Sequence, residues 1–420
     1  MINKLLLKII SIIITIIFTI TCFSSVNANN SKLNYIELEL NFSPPEIIPY
    51  NENIIIKIIE QDFSRMDFGK PVIPYCLFEY DLIFGSDIIN IEYENSNPII
   101  YNLTQQIAKA SYPRFDKLDI YNHIKKINPQ NSYNSYPSDW VSYHTGGGIK
   151  KGIHKTFFSL RVYPIIYYEN VNQIKFISNI TIKITYQEPE KPILNDPDVY
   201  DLLILTPTKY EELLNPLSDH KNNFGVSTKI VTLDKAYEEM YWHGRDQQEK
   251  IKYFIKESIE KWGITHVLLI GGLNGQTTTW DFPIRYSHVV PPDEQEYAEQ
   301  TFISDLYYAD IYDSKGEFIS WDSNNNDIFS QWNETYREEM DLYPDVYLGR
   351  LPCRNTNEVK IMVNKITNYE STAYGSEWFN KIVCVGGDSA PGDEYYEGEE
   401  ENQAAIDYLD GFDLSEFSPR

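Results

Sequence analysis

Val267-Leu268-Leu269-Ile270-Gly271-Gly272 is the stretch on which the fold turns. An unbroken apolar run has no polar face, so a strand there must be buried on both sides. The glycine pair then breaks it. The same pattern stands upstream in Leu202-Leu203-Ile204-Leu205. It recurs downstream in Ile382-Val383-Cys384-Val385, which Gly386-Gly387-Asp388 ends, and in the shorter Val346-Tyr347-Leu348.

Helical segments alternate with these runs. Tyr210 to Asn223 reads as a helix ended by Gly225, with Pro216 predicted to kink or split it. Thr228 to Leu233 reads as a strand. Asp246 to Trp262 is a long helix that places Ile251, Phe254, Ile255 and Ile259 on one face and stops at Gly263. Asn355-Thr356-Asn357-Glu358 has the form of a capping box, opening a helix to about Tyr369. Glu400 to Leu409 is the last helical stretch, with Gly411 as its stop. Apolar strands alternating with amphipathic helices predict a parallel sheet covered on both faces, with sites at the carboxyl ends of its strands. Those ends follow Leu205, Ile270 and Val385. A crossover helix delivers a further parallel strand. The residues after Gly411 are too few and too polar to supply one, so this α/β domain is expected to be truncated.

Residues 30–188 follow a different grammar. Asn53 to Ile59, Tyr80 to Ile83, Ile88 to Tyr93 and Phe157 to Tyr163 read as strands, and Thr181 to Tyr186 alternates at period two. Asn128 to Ser138 reads as a loop. Helical periodicity is scarce, which predicts a β-rich, sandwich-like domain. Residues 189–197 form a proline-bearing acidic linker, suited to proteolytic removal of the first domain or to plain connection. Residues 198–420 are the α/β part.

Residues 1–28 read as a signal peptide. Lys4 and Lys8 precede the apolar Ile9 to Ile20, and Val26-Asn27-Ala28 offers a cleavage point. The alternative is an uncleaved anchor, but the apolar run falls short of the ~20 residues a spanning helix needs. A secreted or cell-surface location is therefore expected, with no membrane span after cleavage. The net charge of −25 would repel phosphate backbones and argues against nucleic-acid binding. Outside the leader only Cys76, Cys353 and Cys384 remain, too few for a disulfide framework.

Several segments resemble the gingipain-type cysteine peptidases. Asp201 to Thr206 with its helix, and Trp262-Gly263 with His266 to Gly272, are similar to that family's first strands. Ser304-Asp305-Leu306-Tyr307-Tyr308 and Tyr343 to Pro352, with its Gly349-Arg350 exit, fit in the same order. So do Gly386-Gly387-Asp388 and Tyr396 to Glu399. Upstream, Gly69 to Pro74 and Val162-Tyr163-Pro164 resemble the family's β-rich propeptide. The resemblance implies a caspase-like fold and hydrolysis of protein or peptide substrates by a Cys–His dyad. The dyad would follow later strands, beyond Arg420, so no residue here is assigned to catalysis. His243-Gly244, His144, Cys353 and Cys384 imitate those residue types, but the cysteines read as buried core.

Two sites are expected. In family members that prefer basic residues an acidic side chain meets the substrate cation, and Glu397 and Glu399 are the positional matches. The alternative is a solvated acidic run. Asp322, Asn324, Asn326 and Ile328 have the one-three-five-seven spacing of a calcium loop. Asp327 stands where glycine is usual, and a plain polar turn is the alternative. The glycines around Gly271-Gly272-Leu273-Asn274-Gly275 carry no nucleotide fingerprint. The expectation is thus a secreted cysteine endopeptidase precursor. The alternative is a non-catalytic surface or binding protein on the same scaffold.

Overall fold

The structure, a computed structural model, describes residues 33–67, 69–110, 135–195, 197–275, 277–289, 300–332, 336–338, 340–381 and 383–386, together with 398, 402, 403, 405 and 406. The leader expected at residues 1–28 lies outside them. The chain gathers into two compact units. One comprises Met1–Val199, Met240–His266 and Ile284–Leu348, and the other Tyr200–Glu239, Val267–Pro283 and Gly349–Arg420.

The first unit is built mainly of strands. In chain order they are β1 Leu33–Asn41, β2 Glu46–Tyr50, β3 Asn53–Lys57, β4 Phe63–Arg65, β5 Ile73–Ile83, β6 Asp87–Asn95, β7 Ile99–Asn102, β8 Val141–Lys150, β9 Ile153–Val162, β10 Ile165–Tyr168, β11 Gln173–Phe176 and β12 Asn179–Gln187. They form antiparallel sheets in the orders β1-β12-β6, β10-β11-β7 and β4-β5-β9-β8, with β2 pairing β3. The period-two reading of β12 holds: Ile180, Ile182 and Ile184 point inward and are fully buried. They share one core with Phe158, Leu160 and Val162 of β9 and Ile54 and Ile56 of β3. Burying these branched side chains from several sheets at once is what holds the sheets together, at about 1.5–3 kcal/mol each.

The strand–helix half begins with β13 Leu202–Thr206, buried throughout, and β14 Thr228–Thr232, which pairs with it in parallel from Leu202↔Thr228 to Thr206↔Thr232. β15 His266–Ile270 follows. Next come the antiparallel pair β16 Tyr286–Val289 and β17 Gln300–Ile303, and then β18 Tyr347–Leu351. The sheet order is β14-β13-β15-β18. Tyr347 N–H donates to Thr265 O at 2.9 Å, and Gly271 N–H donates to Leu351 O at 3.0 Å. Those pairings rise together along the chain, so β15 and β18 also run parallel.

The helices are α1 Asn215–Asn223, α2 Leu233–Glu239, α3 Gln247–Trp262 and α4 Thr356–Thr372. Pro216 does divide the first helical stretch. Thr208–Leu214 is a 3-10 turn, and α1 begins with the proline in its first turn, where no N–H is needed. Asp246 caps α3 by accepting from Glu249 N–H, and Gly263 closes it at φ 71°. Asn355 caps α4 by accepting from Asn357 and Glu358 N–H. Leu233, expected to end a strand, instead opens α2. Among the described residues no helix is long and apolar enough to cross a membrane.

One strand expectation is corrected. Val383, Cys384 and Val385 are neither in a strand nor buried, with Val383 82% and Val385 87% exposed. A strand exists only through its ladder bonds, and this run pairs with no strand among the described residues. Positions 402, 403, 405 and 406 are helical, inside the stretch predicted at 400–409.

Candidate functional site

In the second unit the chain goes from β13 to one side for β14 and then returns to the other side for β15. The carboxyl ends of β13 and β15 thus flank a reversal of strand order, where open α/β sheets place their sites. Beyond β13 the 3-10 turn presents Thr208, Lys209 and Tyr210. Thr208 hydroxyl donates to Asp234 Oδ2 at 2.5 Å. Asp281 is the centre of the cluster. Its Oδ1 pairs with the Lys209 ammonium at 2.7 Å, and its Oδ2 accepts the Tyr210 hydroxyl at 2.5 Å. Burial, the Asp281 bond and its negative charge all hold the Tyr210 phenol in its neutral form. Beyond β15, Gly271 stands at φ 133°, where a Cβ would lie 2.9 Å from Phe282 N. A Cβ on Gly272 would lie 2.3 Å from Pro352 O. These glycines admit neighbouring backbone rather than phosphate.

Arg350, in the Gly-Arg segment after β18 starts, binds this loop. Its guanidinium donates to Gly271 O at 3.0 Å and reaches Phe282 O at 3.4 Å and Pro283 O at 3.3 Å, lying over the Phe282 ring at 4.9 Å. One cation thereby satisfies several carbonyls that leave the sheet. The Gly-Arg motif was visible in the sequence, but not this role. Asp281 and Tyr210 carried no signal in the sequence.

The cysteines divide by environment. Cys76 donates to Glu60 O at 3.2 Å, and burial pushes its thiol up to about 12. Cys353 is packed with Tyr210, Leu214 and Val359, and burial with the nearby Glu358 raises its thiol too. Burial disfavours the thiolate at both, in keeping with the core reading of Cys353. Cys384 is exposed, contrary to the buried strand expected there. His243 is exposed, with its ring 5.5 Å from Tyr253. Glu397 and Glu399 lie outside the described residues.

The loop carrying Asp322, Asn324, Asn326 and Ile328 belongs to the first unit. Asp322 is fully buried; its Oδ1 accepts Asn326 N–H at 3.0 Å and its Oδ2 accepts Asp327 N–H at 3.0 Å. Asn324 Oδ1 accepts Asn326 N–H, and Asn326 Oδ1 accepts Ile328 N–H. Arg245 lies on Asp322 Oδ2 at 2.5 Å. Burial opposes ionisation of Asp322, but Arg245 and the loop N–H groups hold its carboxyl below the usual range. Asp327 takes φ 63°, the left-handed conformation that glycine would serve. The side-chain oxygens are thus spent on the loop's own backbone and on a guanidinium that stands where a cation would. Beside the loop is a cleft of about 470 Å³ lined in part by Arg245, Arg285, Gln248 and Phe329. Phe329 carries Arg285 at 3.5 Å and Arg245 at 5.0 Å, while Asp246 grips Arg285 with both oxygens at 2.8 and 2.9 Å. Each cation of the cleft already has a carboxylate. No cluster of three or more His, Cys, Asp or Glu residues suited to a metal occurs among the described residues.

Comparison with known proteins agrees with the strand–helix half. The model of peptidase family C25 matches residues 195–416. Gingipain R2 of Porphyromonas gingivalis (strain ATCC BAA-308 / W83) is 22% identical over 200 residues, covering 46% of this chain and 20% of the relative. The chain therefore spans about a fifth of that relative's length. Three solved structures are similar to parts of it. One, from work on the zymogenic latency of gingipain K from Porphyromonas gingivalis, covers 39% of this chain and 97% of its own at 13% identity and TM-score 0.29. A complex of Porphyromonas gingivalis RgpB pro- and mature domains covers 40% of this chain and 84% of its own at 11% identity and TM-score 0.26. Dimeric latent PorU from Porphyromonas gingivalis covers 85% of this chain and 39% of its own at 10% identity and TM-score 0.32. Matched along 195–416, more than half of its 420 residues, the chain belongs to peptidase family C25.

Proposed function

We propose that the chain is the precursor of a secreted cysteine endopeptidase. The family match over residues 195–416 is the observation that carries this reading. In it, residues 1–28 direct export, 30–188 cover the enzyme as a prodomain, 189–197 are the removable linker, and 198–420 belong to a caspase-like peptidase domain. The thiol and imidazole come from residues beyond Arg420. The raised thiols of Cys76 and Cys353 favour that assignment, since neither is poised to attack a carbonyl. Protein or peptide substrates with a basic residue before the scissile bond would meet Glu397 or Glu399.

The test extends the expressed gene past the codon for Arg420 and measures hydrolysis of Arg- and Lys-reporter peptides before and after removal of residues 30–188. Thiol-sensitive activity that appears on removal is expected. An extended protein inert in both forms would instead make this a binding protein on a peptidase scaffold.

Calcium at the 322–328 loop is proposed as a stabiliser, with Asp322, Asn324 and Asn326 supplying side-chain oxygens and Ile328 its carbonyl. Binding requires Arg245 to leave Asp322. Affinity on the order of 10⁻⁴–10⁻³ M is expected. Titration calorimetry that detects no uptake, with no rise in melting temperature, discards it.

A further inference from the structure

Strands β8 and β9 meet residues 309–345 through a densely made joint within the first unit. Gly146, Gly147 and Gly148 let backbone press against backbone. A Cβ on Gly147 would lie 2.3 Å from Asp313 O, and one on Gly148 2.8 Å from Pro344 O. Ile149 N–H donates to Pro344 O at 2.8 Å, and Thr156 hydroxyl donates to Ser314 O at 2.7 Å. Tyr343 stacks on Phe157 at 4.9 Å.

Under this cover lie three carboxyls. Asp341 Oδ2 accepts Gly147 N–H at 2.7 Å, so a β8 amide holds it directly. Asp345 is fully buried; its Oδ2 accepts Ile311 and Tyr312 N–H at 2.7 and 2.8 Å. Its Oδ1 faces His154 Nε2 of β9 at 3.6 Å, and both atoms lack a hydrogen-bond partner among the described residues. Asp310, also fully buried, accepts Trp321 Nε1–H at 2.8 Å. The compensating cation is Lys252 of α3, whose ammonium has no hydrogen-bond partner among the described residues and sits 4.5 Å from the Tyr307 ring. Other charged or titratable groups nearby are His144, which meets the Asp341 backbone, Glu260, which accepts from Tyr312 hydroxyl at 3.3 Å, Lys256, which pairs with Glu260, and Glu249 and Arg285, which act on Lys252.

We propose that this joint is a proton-gated latch: β8 and β9 stay fastened while the half-buried carboxyl of Asp341 and the buried ones of Asp310 and Asp345 hold protons, and release when those protons leave. The idea rests on the reading of residues 30–188 as a removable covering region. Burial raises all three carboxyls; it takes Asp341 to about 8, with the neighbouring Asp310 adding to it and the Tyr343 and Gly147 amides opposing. A raised group contributes fully below its ordinary value and loses that contribution as pH climbs to its folded value. His154 acts oppositely: burial lowers it to about 4, so it weakens the joint between its ordinary value and 4. Burial lowers Lys252 to about 8, and this opposes release only above that pH. His144, also lowered by burial, acts in the same sense as His154, and from about pH 6.5 to about pH 8 neither histidine nor Lys252 offsets the loss from Asp341. Release is therefore steepest there.

The experiment places a site-specific protease sequence in the 189–197 linker of the full chain, cuts it, and follows separation of the two pieces by gel filtration from about pH 6 to about pH 8.5. The dissociation constant is expected to rise about tenfold or more per pH unit across the upper part of that range. Asp345→Asn keeps an oxygen for the Ile311 and Tyr312 amides and offers an N–H to His154, imitating the protonated acid. It should flatten the slope by about one proton, and Asp341→Asn should do likewise. A dissociation constant that is constant or falls with pH overturns the latch, as does an unchanged slope in both variants. Either result leaves the prodomain reading to its own activity test.

Discussion

Asp281 in the second unit and Asp345 in the first are both nearly withdrawn from water, yet they are kept in opposite ways. Asp281 has a partner on each oxygen, the Lys209 ammonium and the Tyr210 hydroxyl, and its lysine still reaches solvent. Asp345 has two backbone amides on one oxygen and an unfulfilled histidine across from the other. A cation and a hydroxyl on a carboxylate offset its loss of water. A carboxyl in a dry pocket beside other carboxyls favours the proton. The first arrangement ties a loop down by paired side chains, and the second is the one on which the proposed latch rests.

Asp345→Ala should break the second arrangement outright. It strands two buried amides, and about 3 kcal/mol of stability should vanish from the first unit's urea transition. Gly272→Ala tests the loop that Asp281 anchors, since the new Cβ would meet Pro352 O at 2.3 Å, and about 2 kcal/mol should be lost. Tyr210→Phe removes one of the two partners of Asp281 and should cost about 1.5 kcal/mol in the same measurement. Lys209→Ala should be nearly silent, about 0.5 kcal/mol or less, because the lysine side chain is 47% exposed and its charge screened. If Lys209→Ala proved as costly as Asp345→Ala, the contrast between the two carboxyls would collapse.

Much of the frame could be read from residue order. The apolar runs at β13 and β15 and the caps of α3 and α4 are local matters, as is the proline that divides 208–223. A local pattern states which face is dry and where a helix must stop. The run at 382–385 carried the same pattern, yet its described residues 383–385 form no strand, because ladder partners come from distant sequence. The candidate site was less legible. Gly349-Arg350 could be singled out as a motif, but nothing in its spacing revealed that Arg350 gathers the carbonyls of 271, 282 and 283.

The sequence alone determined the two grammars, the acidic balance, the strand–helix alternation and the one-three-five-seven spacing of Asp322, Asn324, Asn326 and Ile328. The tertiary structure decided that Arg245 sits on Asp322, that Asp281 joins Lys209 to Tyr210, and that Asp345 and His154 face one another across the joint. The reason is physical: burial and charge pairing depend on which remote segments exclude water together, and no short window of sequence encodes that distance.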